Sequence, residues 1–408
     1  MHVLRNVSFA SLIGVCLACG GSSAIPFDAT AVPLHAKIVV TGLSLPMQYI
    51  SDPVNAERAY VLEKAGKVKL IVNDELQTAP VLNIIGTVRT EGECGLSGIA
   101  FDPDFVSNHY VYLHYNAGVS LQSRIVRYTM SSDGTVLTDE YPILAVDQPT
   151  ISHKGGSLNF GKDGMLYLAF GDGGTPENTD NTAQRGDSLL GKVLRIDVSH
   201  DGYPADDDKN YAIPAGNPFA NSTTVLPEIW AVGLRNPFRW SIDPSSGAVL
   251  LSDVGQDFWE ELNYIPAGVS GLNFGWRIKE GTHTFFDNLP AFSNKFTNPY
   301  LELSHPFSKA PVGGFIYRGR GLDPSYRGRY FFSDATTSKI LTIPFGLSGG
   351  RPATLDESDI VEHTATINAS ADPNGPIEIN LPVSVSPDSS GEVMIVQLAK
   401  GQILRLVP

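Results

Sequence analysis

Cysteine is nearly missing from this 408-residue sequence: Cys16, Cys19 and Cys94 are the three present, and two of them fall within the first nineteen residues. The single thiol left beyond that segment rules out an internal disulfide framework, and no His/Cys cluster has zinc-ligand spacing. Positive charge is also scarce, with 29 Lys and Arg against 43 Asp and Glu and a formal net charge of -14. Such a surface repels phosphate backbones and anionic headgroups, which argues against nucleic-acid binding and against membrane attachment through basic patches. The apolar run Val7–Ala18 is too short to span a bilayer comfortably. No Walker-type phosphate loop, Gly-x-Ser-x-Gly elbow or His-Glu-x-x-His pair occurs, so nucleotide, serine-hydrolase and zincin chemistries drop out.

What the chain has in quantity is turn formers, 40 Gly and 28 Pro, beside 42% hydrophobic residues. That mixture suits many short strands joined by tight turns rather than long helices. One phrase recurs: an apolar strand, a polar turn, then a strand of alternating apolar and polar residues. Its first halves are AYVLEK (59–64), YVYLHY (110–115), MLYLAF (165–170), AVLLSDV (248–254), YFFSDA (330–335) and EVMIVQL (392–398). The second halves are KVKLIVN (67–73), RIVRYTM (124–130), KVLRIDV (192–198), ELNYI (261–265), KILTIPF (339–345) and QILRLVP (402–408). Short period-2 runs separated by turn residues are hairpins. Six recurrences fit an all-β, six-bladed propeller with four-stranded blades, against a pair of sandwiches or a β-helix. The unpaired run KIVVT (37–41) matches a terminal phrase lacking a partner, and pairing the two closes the ring without leaving an edge.

The start of the chain reads as a processing signal. Residues 1–19 form a signal peptide, with Arg5 ahead of the apolar run, and Leu17-Ala18-Cys19 before Gly-Gly-Ser-Ser resembles a lipoprotein cleavage site. Cys16 stands where Leu is usual, and the alternative is an ordinary signal peptide cut near Ala24. Both imply export, to the periplasm, to a membrane surface through a lipid on Cys19, or into the medium. Residues 20–36 read as a flexible tether and 37–408 as the propeller.

Seven phrases then carry a family resemblance in order: GECGLSGIAFDPDF (92–105), SHKGGSLNFGKDGMLYLAFGDGG (152–174), AQRGDSLLGKVLRIDV (183–198), EIWAVGLRNPFRWSID (228–243), DVGQDFWEELNYI (253–265), NFGWRIKEG (273–281) and PVGGFIYRG (311–319). Together they resemble the glucose/sorbosone dehydrogenase family, which includes quinoproteins that oxidise aldose sugars with pyrroloquinoline quinone (PQQ) and calcium. The same superfamily holds hedgehog-interacting-protein-like members with a binding role. The resemblance implies oxidation of an anomeric hydroxyl to a lactone, with a sugar as substrate and an unidentified electron acceptor; the alternative is a cofactor-free binding propeller.

Residue by residue, the resemblance makes His153 the base that takes the hydroxyl proton and Asp172 the carboxylate that orients it, chemistry suited to an imidazole–carboxylate pair. Arg235 and Asn236 match the partners of the quinone carbonyls, where a fixed guanidinium stabilises negative charge arriving on oxygen. Gly255 and Gln256 match main-chain ligands of the cofactor calcium, and Glu261 matches a ligand of a second, structural calcium. Glu93 and Ser152 fall beside the substrate, Ser152 replacing the usual Asn or Asp. The family's Lys in the fifth blade and Arg pair before the last strands, which hold the PQQ carboxylates, are absent: SDATTSKIL (333–341) and IEINLPVSVSPD (377–388) stand there, with Lys339 displaced. Lys154, Arg277, Arg318 and Arg320 are the candidate replacements. The acidic tract 201–219 reads as a blade loop over the channel mouth.

Overall fold

The computed structural model describes residues 32–175, 179–348, 351–352 and 355–408. The signal and most of the tether lie outside them. Among the described residues no helix is long and apolar enough to cross a membrane.

Six four-strand blades stand in a ring, as the repeated phrase predicts. Their innermost strands, Pro46–Ser51, Leu96–Phe101, Leu158–Phe160, Trp240–Ile242, Pro311–Ile316 and Pro382–Pro387, follow one another around a central channel. The third blade gains a short fifth strand, Leu272–Asn273, parallel to Ile229–Val232. His35–Val40 pairs antiparallel with Gln402–Val407, so the earliest strand completes the last blade. It starts two residues before the expected position, and Leu34 just ahead of it is fully buried.

Alternation along each strand explains how the ring holds together. Successive side chains point to opposite faces, and in a propeller both faces meet a neighbouring blade. In the third blade Leu166, Leu168 and Phe170 pack on the second blade, while Tyr167 and Ala169 pack on the fourth. In the fifth, Tyr330 and Phe332 face the fourth blade and Phe331 faces the sixth. Each junction between blades thereby receives its own apolar cluster, six clusters for six junctions. Near the axis the blades meet backbone to backbone: a Cβ on Gly98 would collide with the Gly156 carbonyl, so glycine is required there.

A guanidinium crosses the channel below one mouth. Arg239 donates from Nη1 to Ser97 O (2.7 Å), from Nη2 to Met47 O (2.8 Å) and from Nε to Val383 O (3.2 Å), tying the fourth blade to the second, first and sixth. Burial pushes it down to about 9. Arg239 lines a lower cavity of about 390 Å³ to which all six innermost strands contribute. Its chain neighbour Phe238 and its partners Met47 and Val383 line an upper one of about 310 Å³.

The structure departs from two of the expectations. The tract 201–219 does not cover the mouth that carries the site: it leaves and rejoins the third blade at the opposite end, and Lys209 bridges Leu144 on the outermost strand of the second blade. Its buried anchor is Tyr211, whose hydroxyl donates to Glu228 Oε1 (2.6 Å). Arg318 and Arg320 also belong to the opposite end, where Arg318 is paired with Asp243 (2.9 Å) and the Arg320 N–H donates to Glu392.

Candidate active site

The loops that enter the innermost strands and the turns after the second strands share one mouth, and most of the expected site residues gather there. Gly171 is the tight point of this mouth, because a Cβ on it would meet His153 O and lie 2.8 Å from Arg235 O. Only glycine lets three segments approach so closely. His153 itself has a φ of +56°, an uncommon conformation for a residue with a side chain, of the kind concentrated at functional sites.

The imidazole is oriented by its neighbours. His153 Nδ1 lies 2.6 Å from Asp172 Oδ1, which also accepts the Gly174 N–H (2.8 Å); Asp172 Oδ2 accepts the Trp276 indole N–H (2.7 Å). Asp172 is buried and the His153 side chain 15% exposed, so the pair shows solvent one edge of the ring. With Nδ1 donating to the carboxylate, Nε2 carries the lone pair, the arrangement of a general base. Ser152 adjoins it, its N–H held by Thr150 Oγ1 (3.1 Å).

Arg235 and Asn236 are fixed through their backbones. Asp253, at the end of the second strand of the fourth blade, accepts the Arg235 N–H on Oδ2 (2.8 Å) and the Asn236 N–H on Oδ1 (2.6 Å). The Arg235 guanidinium lies over the Trp276 ring, 5.5 Å from its centroid, and donates to Val254 O (2.9 Å). Asn236 Nδ2 donates to Glu93 Oε2 (2.9 Å), and Asn236 Oδ1 accepts from Gly155 N–H (3.4 Å), joining the His153 loop to the upper cavity that Glu93 and Asn236 line.

Gly255 and Gln256 lie in the next turn. Glu260 Oε2 accepts the Gly255 N–H (2.7 Å), and Glu280 Oε1 accepts the N–H groups of Gln256 (2.6 Å), Asp257 (2.7 Å) and Phe258 (3.2 Å). In a trans peptide the carbonyl points opposite to the following N–H, so the Gly255 and Gln256 carbonyls face away from Glu280. Those two main-chain oxygens fit a hard cation such as calcium. Glu261, the candidate ligand of a second calcium, has its carboxylate engaged by the Gly281 N–H (2.7 Å) and Asn263 Nδ2 (2.9 Å). Burial pushes Glu261 and its cross-strand partner Asp253 above the usual carboxylate range. Among the described residues no three His, Cys, Asp or Glu side chains converge on a metal position.

The remaining wall of the mouth decides the cofactor question. From the first, fifth and sixth blades the cavity is lined by Met47, Ala310, Val312, Ala335, Val383 and Leu398, and its charged lining groups are Lys64 and Glu93. The other candidate cations do not reach it. Lys154 is buried with Nζ on Gln148 Oε1 (2.6 Å), and burial pushes it down to about 8; Arg277 lies over Phe286, 4.0 Å from the ring centroid; Lys339 donates to Phe307 O (3.1 Å). PQQ carries three carboxylates, and Lys64 with the adjoining Arg235, set against Glu93, leaves most of that charge uncompensated in a partly apolar chamber. The residues present do not fit that group.

Sequence reasoning missed Asp253, Glu280 and Trp276. All three lie inside the quoted family phrases, yet nothing in those phrases says that a carboxylate will turn back onto a distant turn or that an indole will complete the base's carboxylate.

The sequence pattern of the family described as Glucose / Sorbosone dehydrogenase matches residues 46–363. HIPL2 protein of Arabidopsis thaliana is 31% identical over 374 residues, covering 75% of this chain and 53% of that protein. Hedgehog-interacting protein of Homo sapiens is 30% identical over 314 residues, covering 72% of this chain and 42% of that one. The chain thus spans about half the length of these curated relatives, or less. The PQQ-bound aldose sugar dehydrogenase of Streptomyces coelicolor superposes with a TM-score of 0.67 at 23% identity, over 91% of this chain and 96% of that one.

Proposed function

We propose that this chain, which belongs to the glucose/sorbosone dehydrogenase family, oxidises a hydroxyl group of a carbohydrate, His153 acting as base. The observation that carries the reading is the 2.6 Å contact between His153 Nδ1 and Asp172, with Trp276 and Gly174 fixing the carboxylate from behind. His153 Nε2 removes the hydroxyl proton of an aldose, at the anomeric carbon in the lactone-forming version, while hydride leaves that carbon for an acceptor seated beside Asn236. Asp172 keeps the ring in one tautomer and stabilises the imidazolium. Asn236 and Arg235, locked by Asp253, present a fixed amide and guanidinium to charge that develops on the acceptor's oxygen. Calcium on the Gly255 and Gln256 carbonyls supplies further positive charge beside this position when bound. We place the chain outside the cytoplasm, free or lipid-tethered through Cys19, on the reading of residues 1–19 as a signal.

A second reading is a cofactor-free binding propeller, favoured by the apolar wall. A dye-linked assay over an aldose panel, with calcium and a quinone set, separates the two. The wild type turns over, and His153→Ala loses about 10²–10⁴-fold in turnover with its melting transition unchanged. Equal turnover in both proteins removes His153 as base; ligand binding without turnover in either establishes the binding propeller.

A further inference from the structure

Oxidising a sugar requires an acceptor for two electrons, and the chamber beside Glu93 and Asn236 has a definite chemistry. One side is apolar, with Met47, Phe238, Val312, Ala335, Val383 and Leu398. Its charged groups are one of each sign, and the cation is engaged, Lys64 Nζ donating to Gly92 O (2.7 Å). A ligand with several carboxylates would exchange water for hydrocarbon without gaining ion partners, whereas an uncharged ring gains from the same exchange. The volume of about 310 Å³ lies at the small end for ligand sites, which suits one or two fused rings. On the polar side the Asn236 amide spends one N–H on Glu93 and has a second for a ligand carbonyl. The loops of this face also expose Leu45, Ile151 and Phe258, 49%, 41% and 61% accessible, so the approach is apolar too.

We propose that this chamber binds an uncharged quinone, a benzoquinone or naphthoquinone without carboxylates, as the two-electron acceptor for the sugar oxidised at His153. The site rests on the chamber walls; the acceptor role rests on the dehydrogenase reading. The hydroxyl proton passes to His153 Nε2, and hydride leaves the same carbon with its electron pair as the C–O single bond becomes C=O. The quinone takes the hydride and one proton, relayed from His153, and becomes the hydroquinone, so sugar plus quinone gives lactone plus hydroquinone.

Calorimetric titration of the purified chain with menadione, and separately with PQQ plus calcium chloride, tests the site. Menadione is expected to bind with micromolar Kd and PQQ about a hundredfold more weakly, since its three carboxylates meet only Lys64 and Arg235, offset by Glu93. Leu398→Arg and Ala335→Lys, at half-buried positions on the lip, are expected to weaken menadione binding about tenfold by placing charge against the ring. Their melting transitions report whether they fold, and the two variants check each other. PQQ binding more tightly than menadione, or no menadione binding at millimolar concentration, overturns the proposal and leaves sugar oxidation standing. Menadione binding without sugar-driven reduction overturns the acceptor role and the dehydrogenase reading together, while the quinone site survives.

Discussion

The third and fifth blades place an aspartate at equivalent positions, just past or at the end of the second strand, and use it in opposite ways. In the fifth blade Asp334 Oδ2 accepts the N–H groups of Lys309 (2.7 Å) and Ala310 (2.9 Å) and the Ser308 hydroxyl (2.6 Å), while Oδ1 accepts Thr337 N–H (2.6 Å). It fastens the segment that enters its own blade. The same device recurs around the ring: Glu63 accepts Ser44 N–H, Asn116 accepts Gly95 N–H, Asp253 accepts Arg235 and Asn236 N–H, and Gln397 accepts Asn380 N–H. In the third blade the entering segment is offered a carboxylate by Asp172, but it is the side chain of His153 that takes it. The fastening of the third blade thus holds an imidazole where its counterparts hold backbone donors.

The comparison breaks most visibly if Asp172 proves to be another fastening. Asp172→Asn is expected to lower turnover by about 10³-fold or more, by favouring the wrong imidazole tautomer, with little change in unfolding midpoint. A large loss of stability with normal turnover would reverse the assignment. Asp334→Ala is the counterpart: it strips four donors of their acceptor and should cost about 3 kcal/mol in urea unfolding, with the pH profile of turnover, set by His153 in another blade, unchanged.

Acid sharpens the contrast next. His114 in the second blade and His363 beside the fifth are both buried, and burial holds each at about 4, below the ordinary 6.5. A base depressed in the folded state contributes stability that is present above pH 6.5 and is lost as pH falls toward 4, because the unfolded chain binds the proton more readily. Each should cost about 2 kcal/mol between pH 7 and pH 4.5, and His114→Gln and His363→Gln should each flatten that slope. Equal slopes in all three proteins would show that these histidines do not titrate so differently on folding. The smallest effect is expected from Trp276→Phe, which keeps the ring but removes the N–H on Asp172: turnover falls by about tenfold or less and its pH profile shifts, while binding holds. A pure loss of stability with an unmoved pH profile would make Trp276 a packing residue.

Most of the fold was legible because alternation in short strands is local information. All twelve phrases are strands at nearly the stated bounds, and the unpaired KIVVT run does close the ring. That His153 and Asp172 meet was legible through the family phrases, and the glycines around them, Gly171 above all, are what the close three-segment approach demands. What escaped was set by tertiary return paths. Glu280 reaches back 24 residues to the Gln256 turn, and the tract 201–219 follows the outer edge of the second blade, where Lys209 bridges Leu144 and Asn210 N–H donates to Ile143 O, while Tyr211 is held to Glu228 of its own blade. The absence of the Arg pair was legible too; that apolar side chains would fill its place as a continuous wall was not.

The closing strand sets an order of assembly. Ile38 pairs with Leu404, so one of the first structured segments to be synthesised waits for nearly the last, and this contact carries the largest loop-closure cost in the ring. The blades bearing His153, Asp172, Arg235 and Asn236 are contiguous in sequence and gather without that contact. Val383 and Leu398, which complete the opposite side of the chamber, come from the blade that needs it. A chain stalled before closure therefore presents the His153–Asp172 pair with the facing wall of the chamber still unbuilt.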